Sequence, residues 1–264
     1  MRPELKVPVL GFVLVGLLAG LPRAHAVTFS HDDWQEVLGR FVSPEGLVDY
    51  PGLAEDRAAL DRYIGALAVF GPTTHPERFP ARDDQLAYYL NAYNALVVSG
   101  VLDRGIDRGV WGATGTGFGF FVRTKFSIDG RTISLRELEN KLIRDQFGEP
   151  LIHAALNCAS LSCPRLRQDA YQGATLRAQL ESGMVEFVAQ ERNCRIDPDR
   201  RSVTLSKIFD WFRADFVAGG SREGDAGLID YVNRYRMTDD QIPSGFRVEF
   251  AKYDKGLNTQ SRQN

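Results

Sequence analysis

Residues 83–102 read DDQLAYYLNAYNALVVSGVL, and this stretch decides the fold. Its apolar positions recur at helical spacing and cover most of the circumference of a helix, so we predict a long helix buried at the centre of the molecule. Asn91 and Asn94 stand three residues apart and therefore share one face of that helix. Because buried amides need hydrogen-bond partners, we expect both side chains to be engaged by neighbouring segments.

Around this helix the sequence predicts mostly helices, with strands that are short and local. An Asp129-Gly130 turn predicts a hairpin over residues 121–133, and a capping box at its end opens a helix that runs to Phe147. Residues 195–205 are typical of two short strands, and residues 246–253 of a last strand. The pattern indicates the α+β class: a mostly helical single domain with a small mixed or antiparallel sheet, for which a papain-like arrangement is one form.

The first 26 residues have the features of a secretory signal peptide. Two basic residues precede an apolar run from Val7 to Leu21, and the small residues Ala24 and Ala26 fit a cleavage site after Ala26. We therefore expect residues 1–26 to be removed, and residues 27–264 to form one globular domain in the periplasm or outside the cell. We predict no membrane span after this cleavage, because no other segment is apolar enough.

The charge of the chain limits the classes of molecule that we expect it to bind. Lys and Arg number 32 and Asp and Glu number 34, which gives a formal net charge of −2 without blocks of basic residues. A protein that binds nucleic acid presents a basic surface that this composition does not supply. We therefore expect no nucleic-acid partner, and we expect the unknown ligand to be a peptide, an acyl compound or a component of the cell envelope.

Residues 151–164 read LIHAALNCASLSCP and gather His153, Cys158 and Cys163 in a chain that has three cysteines in all. We interpret residues 151–156 as a strand that pairs with the preceding hairpin and leads into a polar loop. Five residues of straight strand would separate His153 from Cys158 by about 16 Å and turn their side chains to opposite faces. The two side chains can therefore meet only if the chain bends before the first cysteine.

Three chemical roles fit this segment, and in the first His153 lowers the pKa of a cysteine thiol that acts as a nucleophile. The candidates for orienting the imidazole are Asn91, Asn94 and Glu139. In the second role, a Cys158–Cys163 disulfide clamps a short recognition loop, which an exported location permits. In the third, two thiolates and His153 bind zinc, although the sequence offers no evident fourth ligand. The residues alone favour the first two roles equally and the third least.

Recognisable motifs extend over most of the chain, from about Gly46 to Asn258. They read LAYYLNAYNAL at 86–96, ISLRELE at 133–139, IHAALNC at 152–158 and LSKIF at 205–209. In this order they resemble the domain of unknown function 547 (DUF547) family, which is found in bacteria and in plant and animal proteins. The resemblance implies a fold and a site but no activity, because the function of the family is unassigned.

The resemblance places the site at six positions of this chain, namely Asn91, Asn94, Glu139, His153, Cys158 and Cys163. Family members that look intracellular also carry the cysteine pair, which counts against a purely structural disulfide. This chain departs from the family pattern at Lys255-Gly256, where the resemblance leads us to expect Trp-Ser. A large aromatic side chain is therefore missing at that point.

Our leading hypothesis is an exported thiol-dependent hydrolase or acyl transferase. Its nucleophile is Cys158 or Cys163 and its base is His153, and we assign no cofactor and no metal ligand. The rival hypothesis is a non-catalytic binding module, in which the disulfide-clamped loop lies beside the glycine-rich segment 109–119. Replacement of His153 separates the two hypotheses, because only catalysis depends on its imidazole.

Overall fold

The computed structural model describes residues 28–112, 119–218, 220 and 222–260. The predicted signal peptide, residues 1–26, lies outside the described residues, as does most of the glycine-rich segment 109–119. None of the helices in the described ranges combines the length and the apolar character needed to cross a bilayer.

Helices make up most of the regular structure. The α-helices in the described ranges are α1 Asp32–Phe41, α2 Tyr50–Glu55, α3 Ala58–Val69, α4 Arg82–Asp103, α5 Gly119–Arg123, α6 Leu135–Glu137, α7 Asp145–Phe147, α8 Leu176–Ala189, α9 Lys207–Trp211, α10 Arg213–Val217 and α11 Gly224–Asn233. A π-helical turn, Leu138–Arg144, joins α6 to α7. Short 3-10 turns lie at Pro76–Arg78, Pro150–Ala154, Gly173–Thr175 and Thr238–Asp240.

The central helix is α4, in which every residue from Leu86 to Val101 is buried. Helices α3 and α8 pack against it, and α1 packs on α3. A helix enclosed by other elements has no need of a polar face, which explains its apolar circumference. The prediction of a long, buried central helix is confirmed.

Two small sheets complete the fold. Strands β1 (Lys125–Ile128) and β2 (Arg131–Ser134) form the predicted antiparallel hairpin, but it begins at Lys125 and not at residue 121, because Gly119–Arg123 is helix α5. In the second sheet, β3 (Cys194–Asp197) pairs antiparallel with β4 (Ser202–Leu205), and β5 (Arg247–Phe250) adds to β4 in parallel. The predominance of helices over these short strands confirms the α+β class.

The segment before the cysteines is not a strand, contrary to the prediction. Pro150–Ala154 is a 3-10 helix, in which the side chain of Glu149 accepts a hydrogen bond from the N–H of Leu151 at 3.0 Å. Pro150 lacks the N–H that a strand ladder needs but suits the first position of a helix. The predicted pairing with the hairpin is also wrong, because β1 and β2 pair with each other and the segment packs against α8. Without a neighbouring strand, the segment satisfies its backbone groups locally.

Candidate functional site

A cleft of about 590 Å³ opens beside the cysteine loop, which we define as residues 157–164. Its walls come from α4, α6, the π-helical turn, the 3-10 segment that carries His153, α9, and the chain that follows β5. Charged, aromatic and sulfur-containing side chains line it together. They include Glu139, Arg144, His153, Cys158, Trp211 and Tyr253.

Two asparagine side chains hold the cysteine loop in place. Asn94 on α4 donates to the carbonyl of Ala155 at 3.1 Å and accepts from the N–H of Asn157 at 2.8 Å. Asn157 in turn donates to the carbonyl of Pro164 at 2.7 Å and accepts from the N–H of Ala159 at 2.8 Å. The candidate Asn94 therefore positions the backbone of the loop, and its amide is used there rather than at the imidazole.

The loop reverses direction at a strained residue. Ala159 has φ 59°, in the left-handed region that residues other than glycine rarely adopt. Asn258 supports this conformation, since its N–H donates to the carbonyl of Ala159 at 3.2 Å and its Nδ2 donates to Oδ1 of Asn157 at 3.2 Å. The reversal brings the Cα atoms of Cys158 and Cys163 to 6.1 Å from each other.

Asn91 has a similar role further along the same helix face. Its Nδ2 donates to the carbonyl of Tyr171 at 2.8 Å, and its Oδ1 accepts from the N–H of Tyr171 at 2.9 Å. Both ends of the amide thus bind the backbone of the segment that precedes α8. The structure places the candidate Asn91 at this segment, and Asn91 is not among the residues that line the cleft.

Cys158 and Cys163 are joined by a disulfide. The Tyr253 hydroxyl lies 3.1 Å from Cys158 Sγ and 3.2 Å from Cys163 Sγ, and it is the donor because a disulfide sulfur carries no proton. Cys163 Sγ also accepts from the N–H of Cys158 at 3.0 Å and from that of Ser160 at 3.4 Å. Cys158 is half-buried and lines the cleft, whereas Cys163 is only 2% exposed. In this state neither sulfur is a thiolate.

His153 is buried and held by a carboxylate. Its Nε2 is 2.7 Å from Oδ2 of Asp215 on α10, and the same carboxylate accepts from Nε and Nη2 of Arg144 at 2.9 and 3.0 Å. Phe212 stacks on the imidazole with 4.1 Å between ring centroids. Burial lowers the pKa of His153 despite the opposing effect of Asp215. The group that orients the imidazole is therefore Asp215, which the sequence analysis missed.

Glu139 lies on the π-helical turn and lines the same cleft as His153 and Cys158. Tyr93 on α4 donates to Glu139 Oε2 at 3.4 Å. Burial raises the pKa of this carboxyl, although the positive charge of Arg144 acts against it, and the neutral form is thereby favoured. The structure thus brings three of the six candidate residues to one cleft. Cys163 is bonded to Cys158 and borders a second cavity of about 620 Å³.

A comparison with known families matches residues 76–188 to the family described as "Protein of unknown function, DUF547". The chain resembles the DUF547 family. The resemblance inferred from the motifs is therefore confirmed over those residues. Comparison with curated proteins and with solved structures finds no match. The papain-like arrangement accordingly stays a prediction.

The DUF547 match contains all six candidate residues, from Asn91 to Cys163. Asp215, which holds His153, and Tyr253, which contacts both sulfurs, lie beyond its end. The cleft is therefore built by the DUF547 region together with the chain that follows it.

Aromatic rings form an exposed surface in the cleft. The ring of Trp211 lies 4.7 Å from that of Tyr253 and 5.9 Å from that of Trp111, measured between centroids. Trp211 is 44% exposed, which is unusual for so large an apolar side chain. Lys255 places its Nζ 4.8 Å from the centroid of Trp111, so a cation lies where the DUF547 resemblance leads us to expect tryptophan.

The zinc alternative finds no support in the geometry of its ligands. Across the described ranges, no group of three or more His, Cys, Asp and Glu side chains is placed to hold a metal ion. The two cysteines of that alternative are bonded to each other, so they do not offer thiolate donors. The third cysteine, Cys194, is free and buried, and burial raises the pKa of its thiol to about 11.

Proposed function

We propose that the cleft binds a peptide or acyl ligand that carries an anionic group, with the disulfide-clamped loop as one wall. The disulfide is the observation that carries this proposal. It occupies both candidate nucleophiles and leaves an aromatic, cation-bearing cleft open beside it. A cleft of this size and mixed lining suits a small ligand or the end of a longer one.

The aromatic side chains supply the apolar contacts for such a ligand. Trp211 exposes 44% of its surface and forms, with Trp111 and Tyr253, a continuous aromatic surface. Exposed apolar patches bordered by charged groups are typical of binding sites. An acyl chain or an apolar peptide side chain that covers these rings would remove them from water.

The charges of the cleft favour an anion. Arg136, Arg144 and Lys255 line it, against the carboxyl groups of Glu139 and, next to the lining, Asp215. The carboxylate of Asp215 is engaged by Arg144. The raised pKa of Glu139 reduces the negative charge of that side chain. Arg136 and Lys255 therefore remain as the groups that would attract a carboxylate.

Isothermal titration calorimetry with two probes of similar shape tests this proposal. The naphthoate anion carries a charge, whereas naphthalenemethanol does not. We expect naphthoate to bind at least about fivefold more tightly, and Trp211→Ala to weaken its binding about tenfold. Met237→Ala is the matched control, because Met237 is 82% exposed and lies outside the cleft.

Two outcomes contradict the proposal. Equal binding of the two probes would remove the argument from charge, and naphthoate binding that is unchanged in Trp211→Ala would place the ligand elsewhere. Lys255→Gln separates the two contributions, because it should reduce the preference for the anion and leave the binding of naphthalenemethanol as it is.

A second candidate is the thiol-dependent hydrolase or acyl transferase, and one observation favours it: His153, held by Asp215, lines the same cleft as Cys158. This candidate requires that, once the disulfide is reduced, His153 takes the proton of Cys158 and the thiolate attacks an acyl carbon. Iodoacetamide labelling with and without prior reductant reports whether the thiols are free. Hydrolysis of p-nitrophenyl acetate should appear only after reduction and be lost in His153→Ala. Activity that persists in a folded His153→Ala variant contradicts this candidate.

Export remains part of the proposal and rests on the sequence of residues 1–26. A disulfide such as Cys158–Cys163 persists in an oxidising compartment, which fits a periplasmic or secreted protein. Expression of the full chain in a bacterial host, followed by fractionation and N-terminal sequencing, should find a periplasmic protein that begins at Val27. An intact chain that stays in the cytoplasm contradicts export.

A further inference from the structure

We propose that Cys158–Cys163 is an exchangeable disulfide, in which Cys158 Sγ is the atom attacked by an incoming thiolate and Cys163 Sγ is the leaving group. The incoming group is a small-molecule or protein thiol that enters the cleft. This inference concerns the redox chemistry of the pair and does not depend on which ligand the cleft binds.

The two sulfurs differ in access. Cys158 is half-buried and lines the cleft of about 590 Å³, so a thiol that enters the cleft meets this residue. Cys163 borders a second cavity of about 620 Å³, but it is only 2% exposed, so a thiol there reaches little of its surface. Because thiol–disulfide exchange depends on which sulfur can be reached, the geometry points to Cys158 as the site of attack.

The two sulfurs also differ in their hydrogen-bond donors. The N–H groups of Cys158 and Ser160 both point at Cys163 Sγ, at 3.0 and 3.4 Å. The hydroxyl of Tyr253 lies 3.2 Å from Cys163 Sγ and 3.1 Å from Cys158 Sγ, so it does not distinguish the two sulfurs but can donate to Cys163 as the bond breaks. Burial raises the pKa of Tyr253, so its hydroxyl keeps its proton and remains a donor. These donors stabilise the negative charge that develops on Cys163 when the bond breaks, and a better-stabilised thiolate leaves faster.

Reduction of the pair takes two exchange steps. The incoming thiolate forms a bond to Cys158 Sγ, and the electron pair of the broken S–S bond leaves on Cys163 as a thiolate. A second thiolate then attacks the mixed disulfide at the incoming sulfur and releases Cys158 as a thiolate. The pair gains two electrons and, from solvent, two protons, and the two external thiols become one disulfide. The reverse sequence oxidises the pair.

Glutathione and its disulfide are the probes for the test. With oxidised glutathione, Cys163→Ser should form a mixed disulfide at Cys158 at least about tenfold faster than Cys158→Ser forms one at Cys163, as followed by mass spectrometry. Cys194, which is free and buried, is present in both variants and serves as an internal reference. Circular dichroism establishes that each variant is folded. Equal rates, or a faster reaction at Cys163, would overturn the assignment.

The wild-type chain supplies a second test that needs no cysteine variant. Reduced glutathione followed by acid quenching should trap the mixed disulfide on Cys158 while the protein is still folded. Tyr253→Phe removes one donor and should slow this reduction at least about threefold, while Tyr235→Phe, which removes a hydroxyl outside the cleft, should not. A disulfide that glutathione reduces only in a denaturant is purely structural, and this result would refute the proposal.

Discussion

Asp215 binds two partners through one carboxylate, the imidazole of His153 and the guanidinium of Arg144. Asp215→Asn removes the charge and leaves the half-buried Arg144 without its ion-pair partner. We expect the free energy of unfolding at pH 7 to fall by about 2 kcal/mol, measured by urea denaturation. Asp61→Asn, which breaks a more exposed pair with Arg57, is the control and should cost less than about 0.5 kcal/mol. Similar losses in both variants would show that the Asp215 cluster contributes no more than a surface ion pair.

His31 is a buried histidine whose protonation opposes folding. It lies 2.7 Å from the Tyr63 hydroxyl, and burial lowers its pKa from 6.5 to about 4. The unfolded chain takes up the proton more readily than the folded one. The free energy of unfolding therefore falls by about 3 kcal/mol as the pH falls from above 6.5 to below 4. His153, whose pKa is also lowered by burial, contributes in the same direction.

The His31→Gln variant isolates this contribution. Thermal unfolding between pH 7 and pH 4.5 should show a weaker loss of stability in His31→Gln than in the wild-type chain, because glutamine does not titrate. A His31→Gln profile parallel to the wild-type one would assign the effect to other groups.

At the scale of single residues, the sequence identified some of the side chains that line the cleft. The crowding of His153, Cys158 and Cys163 in the sequence pointed to the loop that borders the cleft. The sequence could not identify Asp215 as the partner of His153 in the same way, because the two residues are 62 positions apart. Asp215 also lies in an amphipathic stretch, a pattern that is common to surface helices. Long-range partners of this kind depend on tertiary packing.

At the scale of elements, Asn91 and Asn94 use one helix face to fix two different segments. Each amide makes two hydrogen bonds to buried backbone groups, so Asn91→Ala and Asn94→Ala should each lower the free energy of unfolding by about 2 kcal/mol. Only Asn94 holds the cysteine loop. We therefore expect dithiothreitol to reduce the disulfide faster in Asn94→Ala and at the wild-type rate in Asn91→Ala. Equal acceleration in both variants would indicate a general loosening of the fold.

The spacing of apolar residues predicted the long elements correctly, but it gave the wrong structure for the short segment that carries His153. Sixteen buried positions in α4 gave a clear helical signal, and the hairpin followed from its turn. Pro150–Ala154 is too short for the period of a helix to be distinguished from that of a strand. A short run of apolar residues that is buried on every side is compatible with both structures. What decided its conformation was the absence of a strand edge beside it, a property of the assembled fold.

At the scale of the whole molecule, the disulfide strengthens a loop that other bonds already define. It joins residues separated by five positions, and for so short a loop we expect reduction to lower the free energy of unfolding by about 2 kcal/mol. The side chains of Asn94, Asn157 and Asn258 keep their partners, so far-UV circular dichroism should not change. Urea titrations with and without dithiothreitol measure the difference. The Cys158→Ser/Cys163→Ser double variant should not respond to the reductant, and loss of the native spectrum on reduction would contradict the expectation.

The sequence predicted the fold class, but it did not predict which strands form the second sheet or how they pair. Alternating and helical patterns identified β3, β4 and β5 as short strands among helices. That β5 joins β4 in parallel depends on where the intervening α9, α10 and α11 pack, and no local pattern of residues 202–250 encodes it. The same packing brings Tyr253 and Lys255 to the cleft.

The support of the disulfide by Tyr253 has a consequence for the order of events during biosynthesis. Cys158 and Cys163 leave the ribosome almost together, but Tyr253 follows 90 residues after Cys163. At usual rates of translation this delay is about 5 to 20 seconds. A nascent chain therefore carries both cysteines for some time before the hydroxyl that binds their sulfurs exists, and a pair that meets oxidant in this interval forms its bond without that donor. The timing of oxidation relative to chain completion thus becomes a property of the protein that a pulse-chase experiment can follow.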